Sequence, residues 1–393
     1  MLDGPFSPWP CYCEEEAEAV RAVLLSNRVN YWTGEQGRCF ESEFADFVGT
    51  RHAVAVANGT LALELALHAL GIGAGDEVVV PPRTFLASAS SIVQRGATPV
   101  FADVDPASQD LTPETVRPVL TGRTRAVMAV HLAGWPCDMD GLRALADAHG
   151  LKLIEDCAQA HGATYRGWPV GAWGDAAAFS FCTDKILTTG GEGGMLLLHD
   201  EAAWRRAWSH KDHGKDWDAV YHREHPPGFR WLHASLGTNG RLTEMQAAIG
   251  RVQLTKLDGW LSRRRAHAAR LNDACRDLAA LRITEPPGHV GHAYYKWYAF
   301  VRPERLRPGW DRDAVAAALQ ARGVPAMQGI CPEVYREHAF DGTGLRPARR
   351  LPVARTLGET SLMLPVHPTL TDVEVAGFCE GLRATMAEAG GGA

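Results

Sequence analysis

Residues 179–194 read FSFCTDKILTTGGEGG, an apolar strand-like run that ends on Lys185 ahead of two threonines and a glycine-rich turn. A lysine in that position is either a solvated strand end or an amine placed for covalent chemistry. The segment IEDCAQAHG (154–162) sets Asp156 at the carboxyl end of another apolar run. A buried carboxylate is costly there unless it meets a cation or hydrogen-bond donors. The carboxyl ends of parallel strands are also where open α/β sheets bind their ligands. Asp156 therefore reads in two ways: as an acid that caps the next helix, or as the partner of a ligand's cationic ring nitrogen, with Gln159 reaching a substituent of that ring.

A third stretch, VANGTLALELAL (56–67), turns from strand to helix at Asn58-Gly59-Thr60. Unpaired N–H groups and the positive end of the helix dipole make such a junction an anion site. Gly59 lets a phosphate come close, and Thr60 either adds a hydroxyl donor or simply caps the helix. An acid followed by a lysine one or two strands later is the order expected for pyridoxal 5'-phosphate (PLP). In PLP chemistry the lysine forms a Schiff base and the acid pairs with the pyridinium nitrogen. Ser180, just before the lysine, could give its hydroxyl to the phosphate.

Positioning these residues requires a sheet. Strand-like runs recur at 52–58, 77–85, 98–105, 125–134, 151–159, 176–181 and 193–200, and helical patterns such as 59–76 and 138–150 separate most of them. Runs like RAVMAV and GGMLLL are apolar throughout, as strands covered on both faces of a mostly parallel sheet are. The large domain is thus a doubly wound α/β unit. The division expected is an arm and helix over 1–35, a large domain over 36–250 and a smaller α+β domain over 251–393. A long helical stretch at 242–281 leads from one domain into the next.

The composition excludes several classes. With 40 basic against 46 acidic residues and a net charge of -6, the chain lacks the basic surplus of a nucleic-acid binder. Nine cysteines, scattered and without a C-x-x-C, argue against a disulfide framework or a zinc site and for reduced thiols in the cytoplasm. The N-terminus does not read as a signal peptide, and no segment has the run of ~20 apolar residues that a membrane helix needs. No metal ligands are assigned. His131, His161, Cys157 and Cys182 flank the candidate strands and read as scaffold histidines and small core residues.

Six blocks in order, ANGTLALELAL, PPRTFLASASSIV, AVHLAGWPCDMD, IEDCAQAHGATYRG, FSF…K…TTGGEGG and NGRLTEMQAAIGRVQL, resemble the PLP-dependent sugar aminotransferases of the DegT/StrS type over residues 28–390. The resemblance implies the fold type I of PLP-dependent transferases, with a seven-stranded sheet, and a homodimer with shared active sites. It implies that Lys185 is the catalytic Schiff-base lysine, Asp156 the pyridinium partner and Gln159 the neighbour of the phenolic oxygen. Gly59, Thr60 and Ser180 match phosphate ligands, Phe85 the aromatic that stacks on the ring, and Asn239, beside Arg241, the residue that reaches the partner's phosphate. The implied cycle takes an amine from L-glutamate through pyridoxamine 5'-phosphate (PMP) to a keto-sugar, most naturally a nucleotide-linked one.

Two segments depart from the family pattern. The turn after Lys185 carries one glycine more than the usual TTGEGG, and MQGICPEVYREHAF (327–340) replaces the commoner segment of nucleotide-sugar members. The stretch 211–237, rich in His, Arg and Trp, suits either a substrate or ordinary dimer packing. The alternatives are an aminotransferase acting on a keto-cyclitol, a PLP- or PMP-dependent sugar dehydratase, and a PLP-binding regulator without catalysis. Lys185 counts against the dehydratase, whose resembling members carry histidine there.

Overall fold

The computed structural model describes residues 6–391, so the first five residues of the expected arm and the last two of the chain lie outside it. The large domain is built on strands β1 (His52–Val56), β2 (Glu77–Val80), β3 (Thr98–Phe101), β4 (Thr124–Val130), β5 (Lys152–Asp156), β6 (Ala176–Ser180) and β7 (Gly194–Leu198). They form one seven-stranded sheet in the order β1-β7-β6-β5-β4-β2-β3. Only β7 runs against its neighbours; β2, β3, β4, β5 and β6 pair in parallel. Every expected strand of this domain is present. The run expected to reach Lys185 stops at Ser180, however, and the helix expected over 59–76 ends at Ala69.

Strand periodicity explains the layers. Along β1, Val54 and Val56 face a core shared with the Gly59–Ala69 helix, while Ala53 and Ala55 face one shared with Phe40 and Phe44 of the Gln36–Val48 helix. Both faces are therefore covered, and near-continuous apolar strands are the result. β5 follows the same rule until its last residue. There Asp156 takes the place of an apolar side chain at the carboxyl edge, still buried.

A second sheet of β8 (Leu281–Ile283), β9 (Trp297–Val301) and β10 (Ser361–Leu364) is antiparallel and packs under the Asp372–Ala389 helix. The helix Glu244–Cys275 joins the two units. Up to Leu261 it gives Ala247, Leu257 and Leu261 to the large core, and beyond that Ala268, Leu271 and Cys275 to the small one. Position 250 falls inside this helix, so the passage between the cores is a continuous helix and not a linker. Among the described residues, no helix is long and apolar enough to cross a membrane.

The start of that long helix is fastened by its own first residue. Glu244 is buried, and its carboxylate accepts the N–H groups of Gln36 (2.6 Å) and Gly37 (3.0 Å) at the mouth of the Gln36–Val48 helix. One anion thus serves two helix N-termini. Glu244→Ala should cost about 2–4 kcal/mol by stranding two buried donors, and Glu244→Gln less. Urea midpoints would show it; an unchanged midpoint for the alanine variant would contradict this role.

Candidate active site

Lys185 sits in the turn that follows β6, with its side chain 17% exposed. Its Nζ lies 3.8 Å from Asp184 Oδ1 and 5.1 Å from the centre of the Tyr295 ring. The Tyr295 hydroxyl in turn donates to Asp184. Burial pushes the Asp184 carboxyl up, but the Lys185 charge and the tyrosine hydroxyl outweigh it and hold the group below its ordinary value. The glycines after Lys185 do not open space around the amine. Gly190 and Gly191 take positive φ (83° and 124°) to make the turn, and a Cβ on Gly194 would stand 2.4 Å from the Asn58 carbonyl oxygen.

The loop between β6 and β7 is knotted by its own bonds. Thr189 N–H and the Thr188 hydroxyl both donate to the Phe181 carbonyl, and Phe181 N–H donates to Gly193 O. Gln253 and Gln246 of the long helix bond Thr188 N–H and Glu192 O. Trp9 Nε1 donates to the Lys185 carbonyl at 2.9 Å. The turn around Lys185 is thereby fixed, while its amine has only the loose contact to Asp184.

Asp156 is 6% exposed and ends β5. One carboxylate oxygen accepts the Ser88 hydroxyl (2.7 Å) and the other the Ala158 N–H (3.1 Å). Because the carboxylate can only accept, Ser88 donates to it, and Thr84, 2.8 Å from Ser88, donates to Ser88 in turn. Burial raises the Asp156 carboxyl, and the Ser88 and Ala158 bonds with the Lys185 charge offset only part of that rise. No described lysine or arginine forms an ion pair with it. Its charge is therefore only partly compensated by the described residues.

The phosphate reading of the β1 turn also has a geometry. Asn58, not Thr60, is the N-cap, its side chain accepting Leu61 N–H at 2.9 Å. Thr60 is thus released from the capping role that the sequence left open for it, and the Gly59 and Thr60 N–H groups stand at the helix mouth. A Cβ on Gly59 would lie 2.6 Å from Ser180 Cβ, so only glycine lets the mouth close on that serine. Ser180 Oγ accepts Cys182 N–H at 3.3 Å, which leaves its proton for another acceptor. These features fit a phosphate monoester at one end of the site and a ring nitrogen at the other.

Gln159 is buried and its Oε1 accepts Ala133 N–H at 2.8 Å. Phe85, the residue before the Leu86–Gln94 helix that carries Ser88, is 63% exposed, an aromatic face left open beside Asp156's hydrogen-bond partner. Asn239 is exposed, and its side chain makes no bond to a described residue. Its neighbour Arg241 instead donates to Asp212 at 2.8 Å.

The flanking residues separate. His131 accepts Cys137 N–H on Nδ1 and so donates from Nε2 to Glu155, as a scaffold histidine does. Cys157 is core, whereas Cys182 is half-buried and faces Glu192. His161 departs from its expected hydrogen-bonded role. Neither ring nitrogen has a partner; the ring packs on Phe179 and Phe181, and burial with the Lys185 charge drives its pKa down to about 3. His131, Glu155 and Cys157 do come within 4.8 Å of one another, a grouping the linear spacing hid. Glu155 is already occupied by the N–H groups of Gly171, Trp173 and Gly174.

Thr84, Ser88, Asp184 and Tyr295 are site residues that sequence reasoning did not assign. Ser88 carried a signal, since it stands one helical turn beyond Phe85. Tyr295 carried none, being brought in from the segment just before β9 of the small domain.

Residues 10–383 match the model of the DegT/DnrJ/EryC1/StrS aminotransferase family. The chain belongs to this family. It is 40% identical over 359 residues, 91% of this chain and 88% of the relative, to the dTDP-3-amino-3,4,6-trideoxy-alpha-D-glucose transaminase of Streptomyces venezuelae. It is also 40% identical over 337 residues, 84% and 78% of the two chains, to the L-glutamine:2-deoxy-scyllo-inosose aminotransferase of Streptomyces fradiae. The crystal structure of an aminotransferase from Psychrobacter cryohalolentis superposes with a TM-score of 0.96 at 54% identity, covering 98% of this chain and 99% of that one. In this DegT-family chain the strand ends and helix mouths described above converge on one site.

Two outcomes check this geometry. Ser88→Ala should weaken PLP binding about 10-fold, because Asp156 loses one donor and its negative form is less favoured; equilibrium dialysis measures it, with Ser88→Thr as the conservative control. The second is acid sensitivity. His161 and His292 are both held near 3 by burial, against 6.5 when free. Above pH 6.5 both folded and unfolded forms are neutral and the full stability is present. As pH falls from 6.5 toward 3 the unfolded chain binds protons that the fold refuses, so each histidine removes about 1.4 kcal/mol per pH unit. Urea midpoints between pH 7 and 5 should fall accordingly, and His161→Phe should reduce the slope by about one proton.

Proposed function

We propose that this DegT-family enzyme is a PLP-dependent aminotransferase that moves an amino group from L-glutamate to a nucleotide-linked keto-sugar in amino-sugar biosynthesis. The observation that carries the reading is Asp156, buried without an ion-pair partner among the described residues, near the largely shielded amine of Lys185. When bound, PLP supplies an electron sink that stabilises negative charge at the carbon bearing the transferred nitrogen.

The chain's own residues do the rest. Lys185 Nζ would hold the cofactor covalently and, freed when the donor's amine takes its place, would serve as the base that takes up and hands back the proton of the donor's Cα. Asp156 keeps the proton on the ring nitrogen, with Ser88 and Thr84 orienting its oxygens. Gln159, its Oε1 occupied by Ala133, has Nε2 left to donate to the phenolic oxygen. The N–H groups of Gly59 and Thr60 and the Ser180 hydroxyl would hold the phosphate, and Phe85 would offer the ring its aromatic side chain. In the second half-reaction the same residues would serve the keto-sugar.

A second copy of the chain completes the site, with Asn239 reaching the phosphate across the dimer. In support, Phe229, Trp231 and Leu236 of the 211–237 segment are 78%, 83% and 95% exposed in the single chain, an apolar patch that favours a cover. All nine cysteines are free, which supports a reducing, cytoplasmic setting. A keto-cyclitol acceptor is the second reading, carried by the equal 40% identity to the scyllo-inosose enzyme.

Protein supplied with PLP should absorb at the edge of the visible range, and excess L-glutamate should move that band into the ultraviolet. Lys185→Ala should lose the first band and about 1,000-fold or more of turnover. The amine-loaded form, offered a dTDP-linked keto-hexose or a keto-cyclitol, should recover its original spectrum with its own acceptor alone. A wild-type protein that acquires no band with PLP would remove the Lys185 assignment.

A further inference from the structure

Lys296 lies beside this site and none of the roles above uses it. It immediately precedes β9, is partly buried, and makes no hydrogen bond or ion pair with a described residue. Its Nζ is 4.9 Å from the centre of the Tyr295 ring, and Lys185 Nζ is 5.1 Å from the same ring. The two amines thus share one tyrosine. Arg264, 1% exposed, adds a third cation. Its Nη1 donates to the Tyr294 and Tyr295 carbonyls, while Nε and Nη2 have no partner.

The single carboxylate whose charge reaches all three cations is Asp184. It already accepts the Tyr295 hydroxyl. Burial lowers the Lys296 ammonium, as it must for a cation without a matched anion. The cluster is therefore short of negative charge, and a desolvated pocket strengthens whatever anion enters it.

The backbone holds this arrangement under strain. Ala133 and Tyr294 both take left-handed φ, 56° and 49°. Ala133 N–H binds Gln159, and its carbonyl accepts Tyr295 N–H at 2.8 Å. Gln159 and Tyr295, and with Tyr295 the adjacent Lys296, are therefore registered through one strained residue. Strain of this kind persists where the surroundings over-determine it, as they do at ligand clamps. Ala133, Trp135, His292, Tyr294 and Lys296 line a single narrow cleft there.

We infer that Lys296 receives the α-carboxylate of the amino donor, with the unpartnered face of Arg264 reinforcing the positive potential. The inference rests on the aminotransferase reading above. The chemistry selects the donor over the acceptor. Every amino-acid donor carries its α-carboxylate on the same carbon as the reacting nitrogen, two bonds from the atom that replaces Lys185 Nζ. A keto-sugar has no charge so close to its reacting carbon; any diphosphate lies several bonds away. A cation placed one tyrosine ring from Lys185 therefore reads the donor.

The test follows the cofactor band of PLP-loaded protein during titration with L-glutamate and with L-isoglutamine, in which the α-carboxylate is an amide. Wild type should require about 30- to 100-fold more isoglutamine for half-conversion, the loss expected for one charge-assisted bond. Lys296→Met should lose most of that preference by weakening glutamate alone, and Lys296→Arg should restore it. Equal weakening of both ligands in the Met variant, or unchanged glutamate binding, would overturn the assignment. If the Met variant does not hold PLP, the wild-type ratio together with that of Lys296→Arg decides, and equal use of the two ligands by wild type would reject the idea. A wild-type band that no amino acid moves would instead bring down the aminotransferase reading, and this inference with it.

Discussion

A carboxylate buried at the end of a central strand, with no ion-pair partner among the described residues, is the constraint around which this molecule is arranged. Asp156 occupies the edge of a sheet covered on both faces, where its negative form is unfavourable by itself. The chain offers it two hydrogen-bond donors and leaves the charge unmatched. On the proposed reading, a protonated ring nitrogen would supply the missing cation.

The rest of the fold brings other groups to the same edge at fixed distance. β1 delivers the Asn58 cap and the free N–H groups of Gly59 and Thr60, β6 delivers Ser180, and the turn beyond it delivers Lys185. Packing between the Gly59 turn, Ser180 and Gly194 is too close for any side chain larger than hydrogen. The long Glu244–Cys275 helix then ties the loop of Lys185 to both hydrophobic cores through Gln246, Gln253 and the leucines of its buried face. Rigidity at the lysine's backbone and freedom at its amine follow from the same contacts.

Charge in the site is distributed with an asymmetry. On the ring-nitrogen side a carboxylate waits for a cation; on the Tyr295 side Lys185, Lys296 and Arg264 share Asp184. On the readings proposed above, the carboxylate side would take the cofactor's ring nitrogen and the cation side the donor's α-carboxylate.

The large sheet was legible in the chain because strands buried on both faces must be apolar at every position, and such runs stand out whatever their partners. Lys185, Asp156, Gln159 and the Asn58-Gly59-Thr60 turn were legible for a related reason: they stand at strand ends, and each is costly or conformationally unusual unless it has a ligand to meet. Local spacing was enough for the residues and for the strands that carry them. It was not enough for Ser88 and Thr84, whose hydroxyls matter only because the Leu86–Gln94 helix leans on Asp156, nor for the cap, which Asn58 takes from Thr60. Tyr295, Lys296 and Arg264 left no local mark at all, since their roles arise where the small domain meets the large one. By itself the sequence determined the class of fold and singled out Lys185 and Asp156 as candidates at strand ends, because burial energies act on each residue in its own segment. Tertiary structure alone decided which charges remain unpaired, because pairing depends on distances between segments that only the folded chain brings together.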